Sequence, residues 1–194
     1  MSDILPIHYA LSEAAIVAAA TYAVVLAWPV NRWIAIGLAT MALAALIGVI
    51  RIAMGVSGFM ITLHEFLSRY GALLGLGIIF GAMLVRGQMM QSQLLPLLLG
   101  LAAVSLVFFV PALATPLLGA FILGGAVLAY RAALDHRILA AASFAFLICA
   151  AFLSAPLRAN YPAFGWHVFH MLVAAWFVLV AAFVPQTRGP PGKL

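Results

Sequence analysis

Residues 138–155 have the sequence ILAAASFAFLICAAFLSA, without one charged side chain. A helix needs about 20 predominantly apolar residues to cross the hydrocarbon core of a membrane. Strands of a membrane barrel instead alternate apolar and polar side chains, and this stretch shows no such alternation. The stretch therefore predicts a transmembrane helix.

The rest of the chain has the same character. Of its 194 residues, 68% are hydrophobic and 7% are charged, whereas soluble domains carry about 25% charged residues. Turn and charge signals separate seven apolar segments, at residues 9–28, 33–54, 60–84, 94–110, 117–133, 138–155 and 163–184. We predict an all-α integral membrane protein, a seven-transmembrane-helix bundle that forms a single domain over residues 1–185, with a tail at 186–194.

The basic residues predict the orientation of this bundle. With seven spans the two termini lie on opposite sides of the membrane, and loops rich in Lys and Arg are normally cytoplasmic. Six of the nine basic residues fall on the side of the C-terminus: Arg32, Arg86, Arg131, Arg137, Arg188 and Lys193. We therefore expect an exoplasmic N-terminus and a cytoplasmic C-terminus, in the inner (plasma) membrane of a bacterium.

The same residues are scattered one or two per loop rather than clustered. A nucleic-acid surface requires a basic patch or stripe, so we expect no nucleic-acid partner. The expected partners are membrane lipids, one of which could be a substrate, and the oligomeric state stays open.

Ionisable residues within the predicted helices gather toward the exoplasmic face. Each costs about 2.5–3.5 kcal/mol on membrane-insertion scales, so such residues are retained mainly where they pair, line a cavity or act chemically. The helix halves on that face carry Glu13, Arg51, His64, Glu65, Arg69, His167 and His170. This one-sided grouping predicts a polar site in the exoplasmic half of the bilayer.

Helical spacing divides the group. Glu65 and Arg69 are four residues apart and can form an ion pair within one helix. Arg51 can pair with Glu13 or extend to the lipid headgroups. These pairings would only neutralise charge.

The three histidines allow a metal site. His167 and His170, three residues apart, can bind one ion, and His64 could supply a third nitrogen. Three histidines with one open position form a common catalytic zinc site. Glu13 would then be the catalytic base or would orient an imidazole.

The last two helices resemble those of the alkaline ceramidase-like superfamily, which includes the progestin/adiponectin-receptor type proteins. The motifs that carry this resemblance are ILAAASF at 138–144, APL at 155–157 and GWHVFHML at 165–172. The resemblance implies a seven-helix fold with zinc near one membrane face, an acidic residue in the place of Glu13, and hydrolysis of a lipid amide or ester. The two histidines of the family's last helix are four residues apart, whereas His167 and His170 are three apart.

Two other functions stay open. In the first, the protein binds haem for electron transfer, and His64 faces His167 or His170 as the second axial ligand. In the second, the bundle is not an enzyme but a small-molecule carrier, a receptor or an assembly subunit.

Overall fold

The computed structural model describes residues 6–85, 94–133 and 136–184. Within these ranges the chain is helical and contains no strand, so the predicted all-α fold is confirmed. Seven helices follow one another: α1 His8–Ala27, α2 Arg32–Ala53, α3 Phe59–Leu84, α4 Leu95–Phe109, α5 Ala114–Ala132, α6 Arg137–Asn160 and α7 Pro162–Phe183. The predicted tail at 186–194 and the loop residues Arg86, Arg188 and Lys193 lie outside the described residues.

Six of these helices are long and apolar enough to cross a membrane. The exception is α4, which has 15 residues and is therefore about 22 Å long at 1.5 Å per residue. The hydrocarbon core is about 30 Å thick. An integral membrane protein is the architecture that these helices fit, whereas the count of seven spans and the orientation stay predictions.

Local sequence explains where α2 begins and ends. The side chain of Asn31 accepts hydrogen bonds from the backbone amides of Trp33 (3.0 Å) and Ile34 (3.2 Å), which caps the helix. After the helix, Gly55 and Gly58 have φ angles of 61° and 65°. Side chains disfavour that region, so the two glycines allow the turn that leads into α3.

The helix α6 extends beyond its predicted end at residue 155. A π-helical turn covers Cys149–Leu153, and an α-helical segment, Ser154–Asn160, follows it. Pro156 lies in the first turn of that segment, where a backbone N–H has no partner within the segment, so proline is tolerated there. The proline therefore does not end the helix.

Six helices form a closed ring. Contacts run from α1 to α2, then to α3, α5, α6 and α7, and α7 packs back against α1. The short helix α4 packs on the outside of α3. There, a Cβ on Gly77 would lie 2.7 Å from the Cα of Gly100, so glycine permits the close approach of the two backbones.

The ring differs between its two ends. The end that contains the C-terminal halves of α1 and α7 is filled by side chains, and Trp176, Phe177 and Phe183 are 0% exposed. We call it the packed half. The other end, where α1, α3 and α7 begin and α2 and α6 end, encloses a cavity, and we call it the cavity half.

Candidate functional site

A cavity of about 460 Å³ occupies the cavity half. All six ring helices line it, and no described residue of α4 does. Its walls are mostly apolar, including Ile16, Leu76, Leu118, Ile122, Leu147 and Val173. The ionisable residues that line it are Glu13, Arg51, His64, Glu65, Arg158 and His170. Glu65 and Arg158 are exposed, so the cavity opens at the end of the bundle where α3 begins and α6 ends.

Three of these residues meet in the wall of the cavity. The Nε2 atom of His170 lies 3.2 Å from Oε1 of Glu13, and the Nε2 atom of His64 lies 3.4 Å from the same oxygen. Glu13 is 1% exposed, His64 8% and His170 6%. We call this group the His64–Glu13–His170 cluster. It joins α1, α3 and α7, which supply one residue each.

The backbone of α7 fixes the orientation of His170. Its Nδ1 atom lies 2.7 Å from the carbonyl oxygen of Trp166. A carbonyl oxygen only accepts hydrogen bonds, so Nδ1 carries a hydrogen and donates it. The indole of Trp166 also stacks on the imidazole, with ring centroids 4.6 Å apart. These two contacts direct Nε2 toward Glu13.

The position of that hydrogen determines what lies between His170 and Glu13. If Nδ1 holds the only hydrogen of a neutral imidazole, Nε2 presents a lone pair to a carboxylate oxygen 3.2 Å away. Two electron-rich atoms repel each other strongly where water is excluded. A positive charge must therefore lie between them, either a proton on one of the two atoms or a metal ion. Glu13 Oε1 is buried and has no hydrogen bond of normal geometry among the described residues, which leaves it free for that charge.

Gly48 of α2 forms the back of the cluster. A Cβ at this position would lie 2.6 Å from Oε1 of Glu13 and 3.0 Å from Nε2 of His64. Only glycine leaves room for the carboxylate here. Gly48 could not be predicted as a site residue, because nothing in a single sequence separates it from the other 15 of the 16 glycines. Its one signal is its position less than one helical turn before Arg51.

His167 lies outside the cluster. Its ring instead packs near His8 and Tyr9, with centroids 5.3 Å and 5.4 Å away. Successive helical residues are about 100° apart, so side chains three positions apart point about 60° away from each other. His170 faces the cavity for this reason, while His167 faces the start of α1.

The structure therefore does not bring the three predicted histidines together. Glu13, rather than His167, contacts His64 and His170. Over residues 6–85, 94–133 and 136–184, no three His, Cys, Asp or Glu side chains already surround one metal position. The two imidazoles both approach the carboxylate of Glu13.

Glu65 and Arg69 do not form the predicted ion pair. Among the described side chains, the ion pairs within 4 Å are those of Glu13 with the two histidines. The π-helical turn Leu67–Gly71 begins between Glu65 and Arg69, and its wider spacing moves the side chains off a common face. Arg69 lies over the ring of Tyr70 instead, 5.7 Å from its centroid.

Arg51 does not pair with Glu13 either. Its side chain is half-buried and lines the cavity, and no carboxylate of the described chain lies within 4 Å of it. The structure thus brings Arg51 and Glu65 to the cavity and leaves Arg69 outside it.

Comparisons with family models, with curated proteins and with solved structures found no match. The resemblance to the alkaline ceramidase-like superfamily therefore stays a prediction from the motifs in α6 and α7.

Proposed function

We propose that this protein is a membrane-embedded hydrolase that cleaves an ester or amide bond in a lipid, with the His64–Glu13–His170 cluster as its proton-transferring group. The observation that carries this proposal is the approach of two imidazole nitrogens, at 3.2 Å and 3.4 Å, to one buried carboxylate oxygen. Burying such a cluster in a membrane helix bundle costs free energy, and ionisable residues in this position are mostly retained for a function.

The cluster can supply both proton transfers that hydrolysis requires. It accepts a proton from water while the water oxygen forms a bond to the carbonyl carbon. It then gives a proton to the leaving oxygen or nitrogen as the C–O or C–N bond breaks, which yields a carboxylic acid and an alcohol or amine. General acid–base catalysis of this kind contributes about 10²–10⁴-fold to a rate.

The cavity supports a lipid as the substrate. Its volume of about 460 Å³ lies within the range of about 300–1,000 Å³ that is typical of small-molecule sites. Apolar side chains of all six ring helices line the cavity, among them Leu76, Leu118 and Leu147. An acyl chain would fill this space without leaving a polar group unpaired.

A zinc ion is the second candidate for the positive charge in the cluster. Two imidazoles and one carboxylate form a donor set found in catalytic zinc sites, and the Oε1 atom of Glu13, which has no hydrogen bond of normal geometry among the described residues, fits a metal ligand. The hydrogen bond from His170 Nδ1 to a backbone carbonyl is the usual support of a metal-bound histidine. When bound, zinc would polarise the substrate carbonyl and activate a water molecule. A shared proton ranks first because it needs no rearrangement of the three side chains.

Haem is less well supported by the cluster. Axial histidines face each other across the porphyrin ring, whereas His64 and His170 both reach Oε1 of Glu13. A haem between them would have to displace that carboxylate. A purified protein without a Soret band would exclude this alternative.

The test compares His170→Ala with His167→Ala in purified, detergent-solubilised protein. The two histidines share α7, but His170 alone belongs to the cluster. With a panel of lipid esters and amides, we expect His170→Ala to lose at least 100-fold of the hydrolysis rate and His167→Ala to stay within about threefold of wild type. Equal effects of the two variants, or no hydrolysis by the wild type, would contradict the proposal.

Metal analysis of the same samples separates the two forms of the proposal. If zinc supplies the charge, about one ion per chain is bound by the wild type and by His167→Ala and is lost from His170→Ala. If a proton supplies it, all three proteins lack stoichiometric metal, and chelators leave the hydrolysis rate unchanged.

A further inference from the structure

We propose that Arg51 and Arg158 form an oxyanion-binding site at the mouth of the cavity, so that the ligand is an amphiphile with a phosphate or carboxylate head. The inference rests on the proposed function only where it calls this ligand a substrate. The binding site itself is argued from the two guanidinium groups and the cavity that they share.

Both arginines lie on the mouth side of the cluster. Arg51 is three residues beyond Gly48, which contacts the cluster, and is therefore about 4.5 Å further along α2. Gly165 lies about 7.5 Å before His170 along α7, and a Cβ there would be 2.5 Å from the backbone nitrogen of Arg158. The end of α6 thus packs against α7 near Gly165. Measured along the helix axes, Arg158 is therefore at about the same distance from the cluster as Arg51.

Neither guanidinium has a counter-charge within the described chain. The nearest carboxylate of each is beyond 4 Å, since both ion pairs of the described residues belong to Glu13. The Arg158 guanidinium lies over the ring of Phe169, 5.3 Å from its centroid. That contact leaves its edges, which carry the N–H donors, free for an acceptor.

The charge of the mouth favours an anion. Arg51, Arg158 and Glu65 are the charged residues that line the cavity outside the cluster, so the mouth carries two positive charges and one negative. Guanidinium groups bind phosphate and carboxylate through paired hydrogen bonds. An arginine that merely extends to the headgroups would point away from the cavity, whereas both of these line it.

The apolar walls of the cavity indicate that the other part of the ligand is apolar. An oxyanion held by the arginines would lie about one to two helical turns from the cluster, and the apolar part would extend past the cluster into the bundle. The bond to be cleaved would then be only a few bonds from the charged group. An acylated amino acid or an acylated glycerol phosphate has this arrangement.

A binding experiment on the full chain in phosphatidylcholine nanodiscs tests the inference without turnover. The probes are radiolabelled dodecyl phosphate, radiolabelled dodecanol and inorganic phosphate. We expect dodecyl phosphate to bind at least tenfold more tightly than either of the others. Equal binding of dodecanol would overturn the oxyanion site, and equal binding of inorganic phosphate would overturn the assignment to an amphiphile.

Variants locate the site. Arg51→Gln and Arg158→Gln should each weaken dodecyl phosphate binding severalfold, and the double variant should bind dodecyl phosphate and dodecanol equally. Arg69→Gln is the matched control, because Arg69 lies on α3 but does not line the cavity, and it should bind as the wild type does. Should the double variant fail to fold, Arg51→Lys with Arg158→Lys keeps both charges and should retain a reduced preference. Full preference in the Gln double variant, or no preference in the Lys double variant, would overturn the inference.

Glu13→Gln separates this inference from the proposed function. The variant lacks the proton-transferring carboxylate but keeps both arginines, so it should bind dodecyl phosphate as the wild type does. In the wild type, selective binding together with absent hydrolysis would overturn the proposed function alone. Hydrolysis with no preference for the anionic probe would overturn the oxyanion site alone.

Discussion

The same helices form both the packed half and the cavity half of the bundle, but the space between them is filled in the first and open in the second. In the packed half, large side chains such as Trp176 and Phe177 fill the space between α1, α6 and α7 and are 0% exposed. In the cavity half, the same helices leave about 460 Å³ open and bury a carboxyl group. Filling that space with apolar side chains would stabilise the bundle, so the difference indicates that the cavity half is built for function.

The largest expected effect on stability comes from the packed half. Trp176→Ala removes a fully buried side chain that packs against Phe144 and Phe177, and we expect it to lower the free energy of unfolding by about 3–5 kcal/mol. Phe169→Ala, which enlarges the existing cavity, should cost markedly less. Chemical denaturation in mixed micelles measures both. Equal losses would mean that the two halves do not differ in packing.

A smaller expected effect concerns the glycine behind the cluster. Gly48→Ala places a methyl group 2.6 Å from Oε1 of Glu13, so the carboxylate must move. We expect overpacking to cost about 1–3 kcal/mol and the hydrolysis rate to fall at least tenfold. Gly119→Ala is the control, since a Cβ at Gly119 meets no atom within 4 Å. A Gly48→Ala protein with normal hydrolysis would show that the position of the carboxylate is unimportant.

The smallest expected effect lies at the start of α2, on the side of the packed half. Asn31→Ala removes the side chain that accepts hydrogen bonds from Trp33 and Ile34, and losing such a cap costs about 1 kcal/mol. The unfolding midpoint should fall while the hydrolysis rate per folded molecule stays unchanged. A fall in that rate would show that the two halves are coupled.

The fold was largely predictable because long apolar runs have one physical solution in a membrane. All seven helices appear near their predicted positions, and the main difference is the end of α6. Pro156 predicted a helix end there. In the structure, the π-helical turn Cys149–Leu153 lies just before it, and a new α-helical segment begins at Ser154. Nothing in the apolar composition of that stretch indicates such a turn.

The residues of the site could be predicted from the sequence, but their arrangement in space could not. The cost of charge in a membrane identified Glu13, His64 and His170 among the residues of one membrane face. Spacing alone could not decide whether His167 or His170 faces the cavity, because that depends on how α7 is rotated in the ring. The π-helical turn in α3 likewise separates Glu65 from Arg69, and the contribution of Gly48 depends on how closely α2 approaches Glu13.

The most direct test of the account compares Glu13→Gln with Glu65→Gln. Both residues line the cavity, but only Glu13 contacts the two imidazoles. We expect Glu13→Gln to fold, because the amide N–H of glutamine can donate to the lone pair of His170 Nε2, and to lose at least 100-fold of lipid ester or amide hydrolysis. Glu65→Gln should keep the wild-type rate within about threefold. A Glu13→Gln protein that hydrolyses lipid as fast as Glu65→Gln would contradict the account.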